Sequence, residues 1–96
     1  MIVRIVKMTF KTECTEEFIL LYERVSPHIK AFDGCRSVCL LRDVSDDRVM
    51  MTYSLWDDED SLNRYRHSDF FKQTWTTTKQ LFVQKAEAVS LNEIKI

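Results

Sequence analysis

The chain has 96 residues, of which 45% are hydrophobic and 30% are charged, so it has room for one domain over residues 1–96. Its 14 Lys and Arg side chains offset 15 Asp and Glu, and both signs are interspersed along the chain. This excludes the basic surface that nucleic acids and anionic membranes bind. Its apolar runs, such as residues 18–21, are far shorter than the roughly 20 residues that span a bilayer.

The cysteines indicate a reducing environment. Cys14, Cys35 and Cys39 are odd in number and include no C-x-x-C pair, which argues against a disulfide framework and against a structural zinc site. Arg4 and Lys7 interrupt the first residues before a signal-peptide core can form. We therefore predict an unexported, cytoplasmic protein that binds no metal.

The first two elements are a predicted strand over residues 2–10 and a predicted helix over residues 15–32. The strand carries apolar residues on both of its faces: Ile2, Val6, Met8 and Phe10 on one, Val3 and Ile5 on the other. Thr15 is the expected N-cap of the helix. The apolar stripe of this helix recurs at helical spacing: Phe18, Leu21, Tyr22, Val25, Ile29 and Phe32.

Two residues predict how this helix bends and ends. Pro27 removes one backbone hydrogen bond and clashes with the carbonyl one turn earlier, so we expect a kink or a short break near residues 24–25. Gly34 is the sole glycine and is the expected left-handed terminator, with a positive φ.

Residues 36–43 and 49–56 predict a hairpin closed by a polar turn at residues 45–48, with Cys39 in the core. Asp57 or Asp58 is expected to cap a short helix, and Ser68 a longer one that runs to Phe82. Residues 86–91 predict a last short strand. The order β-α-β-β-α-α-β is that of an α+β, ferredoxin-like fold with a four-stranded antiparallel sheet.

Helices on one face of such a sheet leave the other face bare. The third predicted strand has apolar residues on both faces: Val49, Met51, Tyr53 and Leu55 alternate with Met50 and Trp56. Neither face therefore has the polar character of a solvated surface. We expect a second copy of the chain to cover the bare face in a homodimer.

Known catalytic motifs are missing from the sequence. There is no G-x-G-x-x-G, P-loop, G-x-S-x-G or H-E-x-x-H motif. His28 and His67 lack the spacing of a ligand pair; we interpret His28 as a boundary residue, while the position of His67 between two helices lets it approach a pocket mouth. The remaining candidates are aromatic and hydroxyl side chains that either line an apolar pocket or pack as ordinary core: Thr52, Tyr53, Ser54, Trp56, Tyr65, Phe71 and Trp75.

The segment from Thr52 to Phe82 resembles the antibiotic biosynthesis monooxygenase family, whose fold is a dimeric α+β barrel. The resemblance rests on W-x-x-x-x-[AS]-[LF] at residues 56–62, followed by S-x-x-F at residues 68–71. F-D-G-C at residues 32–35 and the strand IVRIVKMTF support it. The family includes cofactor-independent oxygenases of polyketide quinones, quinol oxygenases and haem-degrading enzymes, and the resemblance implies one such domain over residues 1–96.

Individual residues of this chain agree with some branches of the family and differ from others. Haem-degrading relatives carry an axial histidine where this chain has Trp75, whose indole cannot ligate iron, while Tyr65 matches their ruffling-associated tryptophan. The quinone-forming oxygenases match at Trp56, but they carry asparagine at the position of Thr52 and tyrosine at that of Leu62. Haem is therefore disfavoured, and we expect no cofactor.

The resemblance thus implies a cofactor-independent monooxygenase acting on a small phenolic or quinol-like substrate. Tyr65, Trp75, Trp56 and Phe71 are the expected substrate-binding residues. Thr52 and His67 are the expected catalytic residues, which hydrogen-bond the ring oxygen, with His67 as the base. Two alternatives stay open: a non-catalytic dimer that binds or senses a small hydrophobic ligand, and a structural dimer whose aromatic residues are core.

Overall fold

A computed structural model describes residues 1–96 as one four-stranded sheet with three helices. The elements are β1 Ile2–Phe10, a 3₁₀ turn Thr12–Cys14, α1 Thr15–Lys30, β2 Cys35–Arg42, β3 Val49–Trp56, α2 Glu59–Arg66, α3 Asp69–Lys79 and β4 Phe82–Asn92. All paired strands are antiparallel, in the order β2-β3-β1-β4. The predicted ferredoxin-like α+β fold is confirmed. None of the helices combines the length and the apolar character needed to cross a bilayer.

The main core forms where even-numbered residues of β1 and β3 face the helices. Met8 and Met50 stand opposite each other in register, with 2% and 1% of their surface exposed. Phe10 is fully buried and stacks on Phe18 of α1, with ring centroids 4.3 Å apart. Burying a side chain of this size stabilises a fold by about 1.5–3 kcal/mol, so this cluster holds α1 against the sheet.

A second buried cluster lies towards the other end of α1. Trp56 of β3 is 1% exposed and packs with Ile29 of α1, Val38 of β2 and Leu62 of α2. Two helices and one neighbouring strand thus converge on one indole ring. Because residues of both clusters also line the cavity described below, the two clusters set its walls.

Helix α1 differs from its prediction at both ends. Its N-cap is Cys14 and not Thr15, because the 3₁₀ turn precedes the helix and the Thr15 hydroxyl donates to the Thr12 carbonyl at 3.3 Å. The helix ends at Lys30 and not at Phe32, and it runs through Pro27 without the expected break. Proline removes a single hydrogen bond here, and packing against the sheet on both sides of it keeps the helix continuous.

Gly34 has the predicted positive φ, at 88°, but it does not terminate the helix. It is the third residue of a turn in which the Cys35 N–H donates to the Phe32 carbonyl at 3.0 Å. Its φ is that of the third position of a type II turn, which favours glycine. A Cβ at Gly34 would overlap the side chain of Ser61 on α2. The residue therefore meets both a conformational and a steric requirement.

The two later helices begin as predicted. The predicted end of the longer helix and the predicted extent of the last strand were wrong. The Asp58 carboxylate accepts from the Ser61 N–H at 2.8 Å, and the Ser68 hydroxyl oxygen accepts from the Phe71 N–H at 3.1 Å. Helix α3 ends at Lys79, and Phe82 begins β4 instead of ending the helix. Strand β4 runs over Phe82–Asn92, not 86–91, because it pairs with almost the whole of β1.

The odd-numbered residues of the central strands form the sheet face opposite the helices, which we call the open face. In the single chain, Val89 and Leu91 of β4 are 42% and 46% exposed there. Cys39 was predicted to be core, but it lies opposite Tyr53 on the open face and is exposed. The reason is the strand register: successive side chains point to opposite faces, so the buried Val38 faces the helices and its neighbour Cys39 faces the other way. Strand β2 covers Cys35–Arg42, one residue earlier than predicted.

Candidate functional site

A cavity of about 400 Å³ lies between the helix-facing side of the sheet and the three helices. All six candidate site residues line it: Thr52, Trp56, Tyr65, His67, Phe71 and Trp75. Tyr53 lies on the open face and is not part of it. The size and the mainly apolar lining suit a small planar molecule.

A continuous row of aromatic rings forms one wall. Trp56 stacks on Tyr65 with centroids 5.0 Å apart, and Tyr65 meets Phe71 edge-on at 5.1 Å. Phe71 lies nearly parallel to Trp75 at 5.9 Å, and behind the wall Trp75 meets Phe82, which does not line the cavity, edge-on at 5.6 Å. These are the offset and edge-to-face arrangements that aromatic pairs prefer, so the wall is preorganised for another ring.

Two hydroxyl residues of β3 share the cavity with the rings. The Trp56 indole N–H donates to the Ser54 Oγ at 3.0 Å, and the Ser54 hydroxyl donates to the Arg4 carbonyl at 3.4 Å. Thr52 lies one step further along the same strand face, and its hydroxyl has no hydrogen-bond partner in the protein. The Thr52 hydroxyl is therefore free to bond a ligand.

The cavity contains one of the two histidines. The Nδ1 atom of His67 lies 2.7 Å from the Asn63 carbonyl oxygen; a carbonyl can only accept, so Nδ1 carries a proton and Nε2 is the free acceptor of the neutral ring. His28 lies outside the cavity, is exposed, and packs its ring 4.6 Å from that of Phe70. This placement agrees with the interpretation of His28 as a boundary residue.

Two phenol groups at the cavity are held in their neutral form. Burial raises the pKa of Tyr65 well above its ordinary value of 10.0. Burial also raises the pKa of Tyr22 on α1. The Tyr22 hydroxyl is buried and has no hydrogen-bond partner, which is an uncommon state for a buried polar atom.

Arg4 and Arg66 bring positive charge to the cavity. Arg4 is the third residue of β1 and lies on the helix-facing side, and its Nη1 donates to the Ser90 Oγ at 2.9 Å. Arg66 is the last residue of α2. Burial, followed by the nearby Arg66 charge, lowers the pKa of Arg4 from its ordinary value. The cavity therefore combines an aromatic wall with a cationic region.

Sequence reasoning missed Arg4, Tyr22 and Arg66 as candidate functional residues. A signal existed for Arg4, since its even number places it on the face of β1 that Val6 and its apolar neighbours occupy. Tyr22 was interpreted as one member of an apolar stripe, which hides its hydroxyl group. Ser54 was noted but given no role, and nothing in the local sequence distinguishes Arg66 from other arginines at helix ends.

The structure contains no cluster of three His, Cys, Asp or Glu side chains that could hold a metal ion. Trp75 lines the cavity beside Phe71.

The fold and the site define a ferredoxin-like α+β domain with an apolar, ring-lined cavity between sheet and helices. The model of the family described as antibiotic biosynthesis monooxygenase matches residues 1–76, and the chain belongs to this family. The match covers every cavity-lining residue except Thr78 and Ala88, while β4 lies beyond it. No curated protein matches the sequence.

Solved structures share the whole fold. An antibiotic biosynthesis monooxygenase superposes with a TM-score of 0.91 at 17% identity, covering 99% of this chain and 100% of the other. A conserved protein from Methanosarcina mazei Go1 has a TM-score of 0.90 at 21% identity, covering 97% and 93%. SnoaB, a cofactor-independent oxygenase from Streptomyces nogalater, has a TM-score of 0.87 at 18% identity, covering 99% and 94%. At these identities the likeness shows the fold.

Proposed function

We propose that this protein is a cofactor-independent monooxygenase that acts on a small phenolic or quinol-like molecule. The observation that carries the proposal is the cavity of about 400 Å³ whose aromatic wall adjoins a free hydroxyl and a histidine. Family membership and the likeness to a cofactor-independent oxygenase support it. The coarser assignment, to the family, does not depend on this proposal.

The reaction needs no external reductant, because the substrate supplies the electrons. A phenolate transfers one electron to O₂, and the resulting radical and superoxide combine into a peroxide anion on a ring carbon, which takes back the proton that the base removed from the phenol and becomes a hydroperoxide. Loss of the ring proton and of hydroxide, released together as water, leaves a carbonyl. In sum, a phenol and O₂ give a quinone and water, and each product contains one of the two atoms of O₂. The protein's part is to bind the ring, stabilise its anion and exclude water.

The cavity side chains divide these tasks among them. Tyr65, Phe71 and Trp75 hold the substrate ring by stacking, with Trp56 packed behind Tyr65. The free acceptor of His67 removes the phenol proton, and the Thr52 hydroxyl donates to the oxygen that becomes negative. Because burial raises the pKa of Tyr65, its phenol keeps its proton, and the substrate phenol is the one that the base ionises.

Oxygen uptake by the purified protein, stripped of metal and flavin, tests the proposal on a panel of anthrones and hydroquinones. We expect consumption above the autoxidation rate, with one O₂ consumed for each quinone formed. Uptake no faster than autoxidation across the whole panel would contradict the proposal. Saturable binding of the same compounds without product would favour the alternative function, a non-catalytic ligand-binding dimer.

Matched variants connect turnover to the cavity. His67→Gln is expected to lower kcat by about 100-fold, as for loss of a general base, while His28→Gln, the histidine outside the cavity, leaves it unchanged. Trp75→Leu and Tyr65→Leu are expected to lower turnover by about tenfold, because each removes a ring from the aromatic wall. Unchanged turnover in all three cavity variants would place the reaction elsewhere.

We also infer that the protein acts as a homodimer, with a second copy covering the open face. This face carries apolar side chains of all four strands, and its charged residues Lys7 and Glu87 stand opposite each other in register. An apolar face whose charges cancel internally suits a copy of itself better than a charged partner. The three free cysteines fit the reducing cytoplasm as its location.

Sedimentation equilibrium measures the oligomeric state. We expect a dimer for the wild-type chain and a monomer for Tyr53→Glu, which places a charge at the middle of the open face. Thr76→Glu adds the same charge on the exposed side of α3 and is expected to remain a dimer. A monomeric wild-type protein at high concentration would contradict the homodimer.

A further inference from the structure

The most unusual charged group in the molecule is the arginine inside the helix-facing side of the sheet. Arg4 lies between Ser54 of β3 and Ser90 of β4 in register, under the helices, and lines the cavity. Its guanidinium donates a hydrogen bond to the neutral Ser90 hydroxyl. Partly burying a guanidinium is costly unless an anion compensates for the lost hydration.

No carboxylate of the protein provides that compensation. The ion pairs of the chain are Arg36 with Asp57, Arg48 with Asp46, and Arg64 with Asp33. Neither Arg4 nor Arg66 forms one, although the chain has 15 Asp and Glu residues. Two guanidinium groups that lie at one cavity without ion pairs repel each other, and a bound anion would relieve this repulsion.

The two arginines do not carry equal weight. Arg66 ends α2, where a positive charge favourably meets the negative end of the helix dipole, so its location has an explanation without any ligand. Arg4 has no such explanation, because it belongs to a central strand, on the strand face that also carries Ile2 and Val6. Arg4 is therefore the residue whose position calls for an anion, and Arg66 adds positive charge at the same cavity.

We propose that Arg4 and Arg66 form a carboxylate-binding subsite, so that the molecule taken by this cavity is an aromatic acid. The ring lies on the aromatic wall, and the carboxylate accepts hydrogen bonds from the Arg4 guanidinium, whose planar fork matches two carboxylate oxygens. As a statement about the substrate, this rests on the proposed oxygenase function. As a statement about binding, it depends on the cavity and the two arginines alone.

Isothermal titration calorimetry with 2-naphthoate and 2-naphthamide tests the subsite. The two probes have nearly the same shape and differ in charge. We expect the wild-type protein to bind 2-naphthoate at least about tenfold more tightly than 2-naphthamide, the difference expected for one charge-assisted hydrogen bond. Added salt is expected to weaken the binding of the acid and not that of the amide.

Variants assign the effect to the two arginines. Arg4→Met retains most of the side-chain length and is expected to abolish the preference for the acid while leaving amide binding unchanged. Arg66→Gln changes an exposed residue at a helix end and keeps the test valid should Arg4→Met not fold; we expect it to reduce the preference. Arg64→Gln removes the same charge from α2 outside the cavity and is expected to have no effect.

Equal affinity for the two probes, failure of 2-naphthoate to bind, or an equal loss in Arg64→Gln would overturn the carboxylate subsite. The outcomes separate the two proposals. Arginine-dependent binding of the acid without any oxygen uptake would sustain the subsite and overturn the oxygenase function. Oxygen uptake with neutral anthrones and no preference for the acid would do the reverse.

Discussion

The indole N–H of Trp56 donates a hydrogen bond to the hydroxyl of Ser54 two residues earlier, at 3.0 Å, on the same face of β3. Trp56 is 1% exposed, so no solvent replaces this partner when it is removed. The bond thus fixes the ring that ends the aromatic wall of the cavity. It connects a strand hydroxyl, the second core cluster and the candidate site.

Ser54→Ala is expected to lower the free energy of unfolding by about 1–3 kcal/mol, because it leaves the buried indole donor without an acceptor. Urea unfolding monitored by tryptophan fluorescence measures the change. Ser37→Ala, which removes a hydroxyl from an exposed position on β2, is the control and is expected to change stability little. Equal stability of the two variants would mean that the indole finds another acceptor.

Tyr22→Phe is expected to leave stability unchanged or to raise it by up to about 1 kcal/mol, since it removes a buried hydroxyl that has no partner. Tyr53→Phe removes a hydroxyl from the open face and provides the comparison in the same urea experiment. A loss of more than about 1 kcal/mol in Tyr22→Phe would show that its hydroxyl is hydrogen-bonded in solution.

The raised pKa of Tyr65 predicts how stability responds to alkaline pH. Because the folded protein holds this proton more tightly than the unfolded chain, the contribution is complete below the ordinary pKa of 10.0 and is lost as the pH rises towards the folded value. The free energy of unfolding of the wild type should therefore fall more steeply above pH 10 than that of Tyr65→Phe. Parallel curves above pH 10 would contradict this, and a constant difference at neutral pH is the internal control.

Gly34→Ala is expected to destabilise the protein by more than about 2 kcal/mol, because alanine meets both the strained positive φ and the side chain of Ser61. The double variant Gly34→Ala with Ser61→Gly removes the overlap but not the backbone strain. Thermal unfolding should therefore show partial recovery in the double variant relative to Gly34→Ala, after correction for Ser61→Gly alone. Full additivity of the two changes would show that the residues do not interact.

Much of the fold could be predicted from local patterns. The alternation in β1 and β3 correctly separated Met8 and Met50 from the open face, and the caps at Asp58 and Ser68 set two helix starts. These signals depend on neighbours within a few residues, which the sequence displays directly. Elements whose limits depend on distant pairing were less predictable: β4 is almost twice as long as predicted, because β1 provides partners for Phe82 and Gln84.

The site divides in the same way. Aromatic spacing, together with the family resemblance, selected the rings that line the cavity, because residues on one helix face or one strand face stay together in any packing. The cationic region was not predictable from such spacing. Arg4 and Arg66 lie on different elements 62 positions apart, and the topology brings both to one cavity.

The sequence by itself determined which face of each strand and helix is apolar, where two helices begin, and that a lone glycine needs a positive φ. These properties follow from side-chain period and backbone sterics, which act within a few residues. The tertiary structure alone decided that a cavity remains between the sheet and the helices, that the Tyr22 hydroxyl reaches it without a hydrogen-bond partner and Arg4 without an ion pair, and that Cys39 faces outward. Those outcomes depend on strand register and on the packing of distant elements, which no local pattern encodes.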